Sequence, residues 1–392
     1  MMFSHGLGGS RNAYSYIVGS LASYGIVMIA PDHRDSSAPV SYIRATERSP
    51  ARMIKYCRFS HEPCQEVYDA RDEQLRIRLW ELGLIHDAIL KIDNGNCPKN
   101  LDPNSSYRWR RNVNEVLDMF ADRLDVHQPG SIIWAGHSFG AATIVQLIKS
   151  TFWFCDPEKA AMEGYTPLFA PSRESSIARQ IRPSSTVILL DMWCLPLQSP
   201  STHWLWEKPM PAYSPGGPGG KVMLTILSEA FFKWSGNLND TRRILSPPAT
   251  FTSPNAYVHF FYAPSSAHLS QSDFGILFPW SIRRFLKVED PERIVKLNVR
   301  AILQRLRENG HIVADTSVLD MDDEETAGQD KPIATIRKSH GADPRILDRK
   351  GGISGWIPIN PTLEMDEDGL VEESRTLSDE VGETEVLGEV RM

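Results

Sequence analysis

The chain is short of cysteine: the five among its 392 residues (Cys57, Cys64, Cys97, Cys155 and Cys194) are scattered. No two keep a zinc-site spacing, and an odd, dispersed count predicts reduced thiols rather than a disulfide framework. There is no H-E-x-x-H segment and no calcium loop of alternating carboxylates, so no metal is expected. No glycine-rich loop opens a helix after a strand in the manner that cradles phosphate, so no cofactor is expected either. No apolar run reaches the roughly 18 residues of a membrane span. The start, Met1-Met2-Phe3-Ser4-His5-Gly6, lacks the basic region and long apolar core of a secretory leader. Together these absences lead us to expect a cytoplasmic protein. The basic cluster Arg108-Trp109-Arg110-Arg111 is too short and isolated to predict a nucleic-acid partner. Internal repeats are absent.

The net charge of −7 is unevenly spread. From Asp315 onward there are 20 acidic and 8 basic residues, a balance of −12, which leaves the body with 29 acidic and 34 basic. A mildly basic body fits either an anionic lipid surface or evenly solvated charge. Beyond residue 315 apolar periodicity dissolves and acidic runs dominate, at 322–325 and 366–368. We therefore expect residues 1–310 to form one catalytic domain, with insertions near 151–185 and 195–220. Residues 315–392 are expected to be an acidic, largely disordered tail.

What is present centres on Ile132-Ile133-Trp134-Ala135-Gly136-His137-Ser138-Phe139-Gly140-Ala141-Ala142. It reads as a short buried strand, a sharp turn and a helix start, and Gly136 to Gly140 fits G-x-S-x-G. A nucleophilic serine needs a tight turn that lifts its hydroxyl into a cleft. Glycines on either side make room where strand and helix nearly touch. Further buried strands are read at Gly25–Ala30, Val187–Leu190, Val222–Leu227 and Tyr257–Tyr262. Helices are read at Ser10–Tyr24, 75–92, Val113–Leu124 and after the Asp290-Pro291 cap. Alternating strands and helices imply an α/β fold, a mostly parallel sheet flanked by helices. The aromatic loop with Trp204, Leu205 and Trp206 is either a lipid-contacting rim or buried packing.

Three chemistry-bearing residues follow separate strands in the order Ser138, Asp191, His268, which is the chain order of α/β-hydrolases. A neutral imidazole can take the serine proton and return it to the leaving group, and a buried carboxylate orients that imidazole. Glu229, after the next strand, competes with Asp191 for the acid role. His259 lies within a strand pattern and His137 within the turn, so both are read as structural. His5-Gly6-Leu7-Gly8 is a glycine loop near an early strand, and the backbone N–H groups of Leu7 and Phe139 are the candidate oxyanion donors. The cluster Pro31 to Asp35 either lines the cleft or forms a salt-bridged loop.

Several separated segments resemble the platelet-activating factor acetylhydrolase family, of the plasma and intracellular type II class, in a fungal-like and N-terminally short version. They are Phe3-Ser4-His5-Gly6-Leu7-Gly8; His33-Arg34-Asp35 with Ser37-Ala38; Gln74-Leu75-Arg76-Ile77-Arg78; and Gly136 to Gln146. Leu190-Asp191-Met192-Trp193 with Leu195-Pro196-Leu197, and His268 with Ser272-Asp273-Phe274, complete the set. The resemblance spans residues 1 to about 310. It implies an α/β-hydrolase without the first strands of the family's sheet. It moves the acid to Asp191 and puts the oxyanion donors at Leu7 and Phe139. The implied activity is calcium-independent hydrolysis of an acetyl, or short or oxidised acyl, ester at the sn-2 position of a glycerophospholipid. A phospholipid substrate and contact with a membrane or lipid aggregate follow as expected partners. A carboxylesterase for soluble esters, and an inactive truncated hydrolase serving as a binding module, are the alternatives.

Overall fold

The computed structural model describes residues 1–361 apart from 99–112, 154–156, 254–257, 287, 289, 322–341 and 351. The basic cluster at 108–111, Cys155, Tyr257 and the acidic runs at 322–325 and 366–368 lie outside the described residues.

The chain opens with β1 (Met2–Ser4) and helix α1 (Ser15–Ser23). A separate antiparallel hairpin, β2 (Val40–Ile43) and β3 (Arg52–Lys55), precedes the long helix α2 (Gln65–Asp93). Then come β4 (Trp134–His137), helix α3 (Phe139–Phe152), β5 (Val187–Leu190), β6 (Met223–Ser228), helix α4 (Ser235–Leu245) and β7 (His259–Ala263). Helices α5 (Pro279–Leu286) and α6 (Pro291–Glu308) follow, and β8 (Ile357–Pro358) ends the described chain's strands. The main sheet has the order β1-β4-β5-β6-β7-β8, parallel except for the final β7–β8 pair.

Parallel neighbours need crossovers, and the crossover helices cover both faces of the sheet. Trp134, Val187, Leu189 and Met223 face α2, α3 and α4, where Leu75, Leu79, Ile144, Leu147 and Leu238 meet them. Ala135, Ile188, Leu190, Leu224 and Ile226 face the other way, against Ile17 and Leu21 of α1 and Val295, Ile302 and Leu306 of α6. Burial on both faces is why these strands read as unbroken apolar runs rather than alternating ones. Asp290 caps α6 as expected, its Oδ1 accepting the Arg293 N–H at 3.1 Å.

Two expectations are corrected. Gly25–Ala30 is not a strand; a single bridge joins Ile29 to Met2, and Val27 is exposed. Pro31 follows directly and has no N–H with which to extend the ladder. Helix α2 starts at Gln65, ten residues earlier than its apolar stripe, because its first turns bury the polar Arg71, Asp72 and Gln74. Within the region read as an acidic tail, Ile346, Leu347, Ile353 and Trp356 are buried on the α6 side of the sheet, and Arg300 pairs with Asp343 at 2.6 Å. The loop at 195–220 resolves toward packing: Leu205 is buried and Trp204 stacks on Tyr165 at 5.0 Å.

Candidate active site

Ser138 is the single residue between β4 and α3, and it holds φ 56°, ψ −121°. A non-glycine residue there is strained, a condition that persists only where the surroundings impose it. The flanking glycines show what imposes it. A Cβ on Gly136 would sit 2.4 Å from the Gly140 carbonyl group, and one on Gly140 would sit 2.0 Å from the Ser4 carbonyl oxygen. Both obstacles are backbone and cannot swing away. Gly140→Ala is therefore expected to destabilise the fold by about 1–3 kcal/mol or more through overpacking, measured by urea unfolding. A variant with wild-type stability would contradict this close approach.

The other candidates arrive from neighbouring strand ends, where parallel sheets collect ligands. Asp191 directly follows β5 and is also held at positive φ, 41°. His268 opens a short 3-10 turn after β7. Its Nδ1–H donates to Asp191 Oδ2 at 3.0 Å. Asp191 Oδ1 accepts the Ser228 N–H, from the end of β6, at 2.6 Å. Glu229 is engaged elsewhere: it pairs with Lys233 at 2.6 Å and accepts the Ser265 N–H at 2.6 Å. Of the two candidate acids, only Asp191 thus makes a hydrogen bond to His268 among the described contacts.

The His268 ring is sandwiched. His137 lies on one side at 4.3 Å between centroids, and Phe231 stacks at 4.4 Å with 15° between planes. Tyr14 extends the arrangement. Its hydroxyl accepts the Gly6 N–H at 3.0 Å and donates to His137 Nδ1 at 2.8 Å. Burial lowers the His268 pKa to about 3, so the imidazole rests in its neutral, proton-accepting form. Burial also pushes the Asp191 carboxyl up, opposed by His137 and the Ser228 N–H.

Ser138 and His268 line one cavity of about 160 Å³, together with Leu7, Tyr14, Leu269 and Phe274. The loop carrying Leu7 turns at Gly8, whose φ is +69°. Phe139 opens α3, where a first-turn N–H has no acceptor within the helix. All five residues singled out from sequence thus lie at this end of the sheet. His5 orders its own loop: Nδ1–H donates to the Gly6 carbonyl at 2.8 Å and Nε2 accepts the His33 N–H at 3.1 Å. The Pro31–Asp35 cluster takes the salt-bridged form through Asp35 on Arg78 at 2.6 Å, while His33, kept neutral by burial, hydrogen-bonds Glu81 at 2.8 Å. Tyr14, Phe231 and Ser228 were not singled out from sequence. Each reads there as an ordinary apolar-face or strand-end residue, and its role exists only through tertiary contact.

A family model described as platelet-activating factor acetylhydrolase, isoform II, matches residues 1–330. A Schizosaccharomyces pombe protein named "Putative phospholipase A2" is 29% identical over 332 residues, covering 79% of this chain and 67% of that protein. The platelet-activating factor acetylhydrolase of Bos taurus is 34% identical over 158 residues, covering 38% of this chain and 31% of its own length. The matched stretch is thus two thirds of the yeast relative and under one third of the bovine one. A solved ferulic acid esterase from Streptomyces cinnamoneus is 16% identical with a TM-score of 0.42, covering 86% of this chain and 71% of that one. On the family match, the chain belongs to the platelet-activating factor acetylhydrolase isoform II family, and with it to the carboxylic ester hydrolases.

Proposed function

We propose that the chain is a serine esterase acting on the sn-2 acetyl, or short or oxidised acyl, ester of a glycerophospholipid. The observation that carries the reading is the meeting of Ser138 and His268 at one cavity, with Asp191 behind the imidazole at 3.0 Å. His268 takes the Ser138 proton as the hydroxyl oxygen attacks the acyl carbon. The N–H groups of Leu7 and Phe139 receive the oxyanion, and the imidazolium returns the proton to the departing lysophospholipid oxygen. Water then repeats the sequence on the acyl-serine and releases a carboxylic acid.

The cavity supports a short acyl group. Its 160 Å³ amounts to about five waters' worth of space at roughly 30 Å³ each, enough for an acetyl. Calcium independence belongs to the same reading: every step above runs through Ser138, His268 and Asp191 and asks nothing of a cation.

Lipid contact is supported by an exposed apolar edge beside the cavity mouth. Phe274 lines the cavity; Leu277 and Phe278, just before α5, and Trp280 and Phe285, on it, stand exposed. Arg283 and Arg284 sit among them and suit phosphate headgroups. Among the described residues no helix is long and apolar enough to cross a membrane. Each exposed aromatic that enters a bilayer interface strengthens binding by about tenfold. Trp280→Ser with Phe285→Ser is expected to weaken sedimentation with anionic phospholipid vesicles about 100-fold. Turnover of a water-soluble ester is expected to stay unchanged. Vesicle binding equal to wild type would remove α5 from the reading.

The test of the substrate is acid release from dispersed phospholipids that differ only in sn-2 chain, run with a calcium chelator. The expected result is rapid release of acetyl and short acyl groups, unaffected by the chelator, and little release of long chains. Turnover confined to soluble esters would overturn the phospholipid assignment.

A further inference from the structure

Two family-like segments, His33 to Ser37 and Gln74 to Arg78, take no part in the chemistry above. They meet behind the loop that carries Leu7. Resting on the serine-esterase reading, we propose that Arg78 is a positioning residue that sets both walls of the oxyanion hole.

Arg78 is fully buried. Its Nε–H donates to Asp35 Oδ2 at 2.6 Å, Nη1 to the His5 carbonyl at 2.8 Å, and Nη2 to Ser37 Oγ at 2.5 Å. Ser37 continues the chain of contacts. Its Oγ–H donates to Asp35 Oδ1 at 2.5 Å, and its carbonyl accepts the Gly8 N–H at 2.8 Å. Residues 5 and 8, on either side of Leu7, therefore hang from one buried ion pair. On the opposite wall, the Arg78 guanidinium lies over the Phe139 ring, 4.2 Å from its centroid.

Burial opposes the charge on Asp35, yet Arg78, His33 and the Ser37 hydroxyl together bring its carboxyl down to about 2. The ion pair thus persists through the neutral range. A buried ion pair is weak grounds for stability, since apolar replacements often serve as well. What an apolar side chain cannot supply is the pair of fixed bonds that aim the loop. Only the planar fork of arginine reaches Asp35, the His5 carbonyl and Ser37 at once. Oxyanion donors act by preorganisation, and a displacement of about 1 Å costs on the order of 100-fold in rate.

Arg78→Met and Arg78→Lys, assayed on a water-soluble short-chain ester, provide the test. Active sites are counted by the amplitude of fluorophosphonate labelling, so kcat is expressed per working site. We expect R78M to lower kcat about 100-fold with KM nearly unchanged, and R78K to recover part of the loss. Affinity for a trifluoromethyl ketone, whose adduct places an oxyanion in the hole, should fall in parallel with kcat. Wild-type kcat per site in either folded variant overturns the proposal. So does a loss confined to thermal stability and to the fraction of active sites. If both variants fail to fold, Arg78→Gln carries the test: it loses the charged fork that joins Asp35, the His5 carbonyl and Ser37 and should still lower kcat per site, and an unchanged kcat overturns the proposal. Should Ser138→Ala retain activity, the esterase reading itself fails. An inactive S138A beside fully active Arg78 variants refutes only the role of Arg78.

Discussion

Ser138→Ala is expected to lower phospholipid acid release by about 10⁶-fold, as removal of a triad serine does in other hydrolases. The size follows from the chemistry. Without the hydroxyl no acyl-enzyme forms, and the bound ester waits for direct attack by water. The substitution removes one oxygen from a buried site and leaves the β4–α3 turn to the same backbone constraints. Thermal unfolding should therefore stay close to wild type while activity disappears. A folded S138A that keeps more than about 1% of the activity would break the assignment.

Asp191→Asn is expected to cost about 10⁴-fold in kcat with KM little changed. The carboxylate accepts two bonds at once, from His268 Nδ1–H and from the Ser228 N–H. An amide offers one oxygen and one NH₂ group, so one of these donors then faces another donor. If the oxygen stays with Ser228, the NH₂ favours the His268 tautomer that carries its proton on Nε2, away from the catalytic role. The imidazolium formed in the transition state also loses its countercharge. The pH profile reports on the same pair. Burial lowers the His268 pKa and raises that of Asp191 to about 7, so the two titrate as a unit. The carboxylate–imidazole form is lost as pH falls through about 7, and the acid limb of kcat/KM on a soluble ester is expected there. Activity that stays flat down to about pH 5 would contradict the buried pair.

Much of this was readable before the structure. Strands β4, β5 and β6 are buried along their whole length, so they lie in short apolar runs. The turn that carries the candidate nucleophile is legible because only glycine fits at residues 136 and 140. The candidates Ser138, Asp191 and His268 follow the ends of β4, β5 and β7. The rest depended on contacts that sequence spacing does not encode. Asp191 and Glu229 both follow strands, and only distance separates them: one reaches His268, the other Lys233. The β2–β3 hairpin was missed because Tyr42 and Met53 are exposed and no apolar face marks it. The first turns of α2 were missed because they bury Arg71, Asp72 and Gln74 where a hydrophobic stripe was sought. Strand β8 is two residues long, anchored by Trp356 stacking on Phe261 at 5.3 Å rather than by any periodic pattern.

The most direct measurement is peptide mapping of the wild-type chain after reaction with a fluorophosphonate. The account predicts one stoichiometric adduct, on the peptide containing Ser138, absent when His268 is replaced by alanine. An adduct on a different serine, or ester hydrolysis by a chain that takes no label, would contradict it.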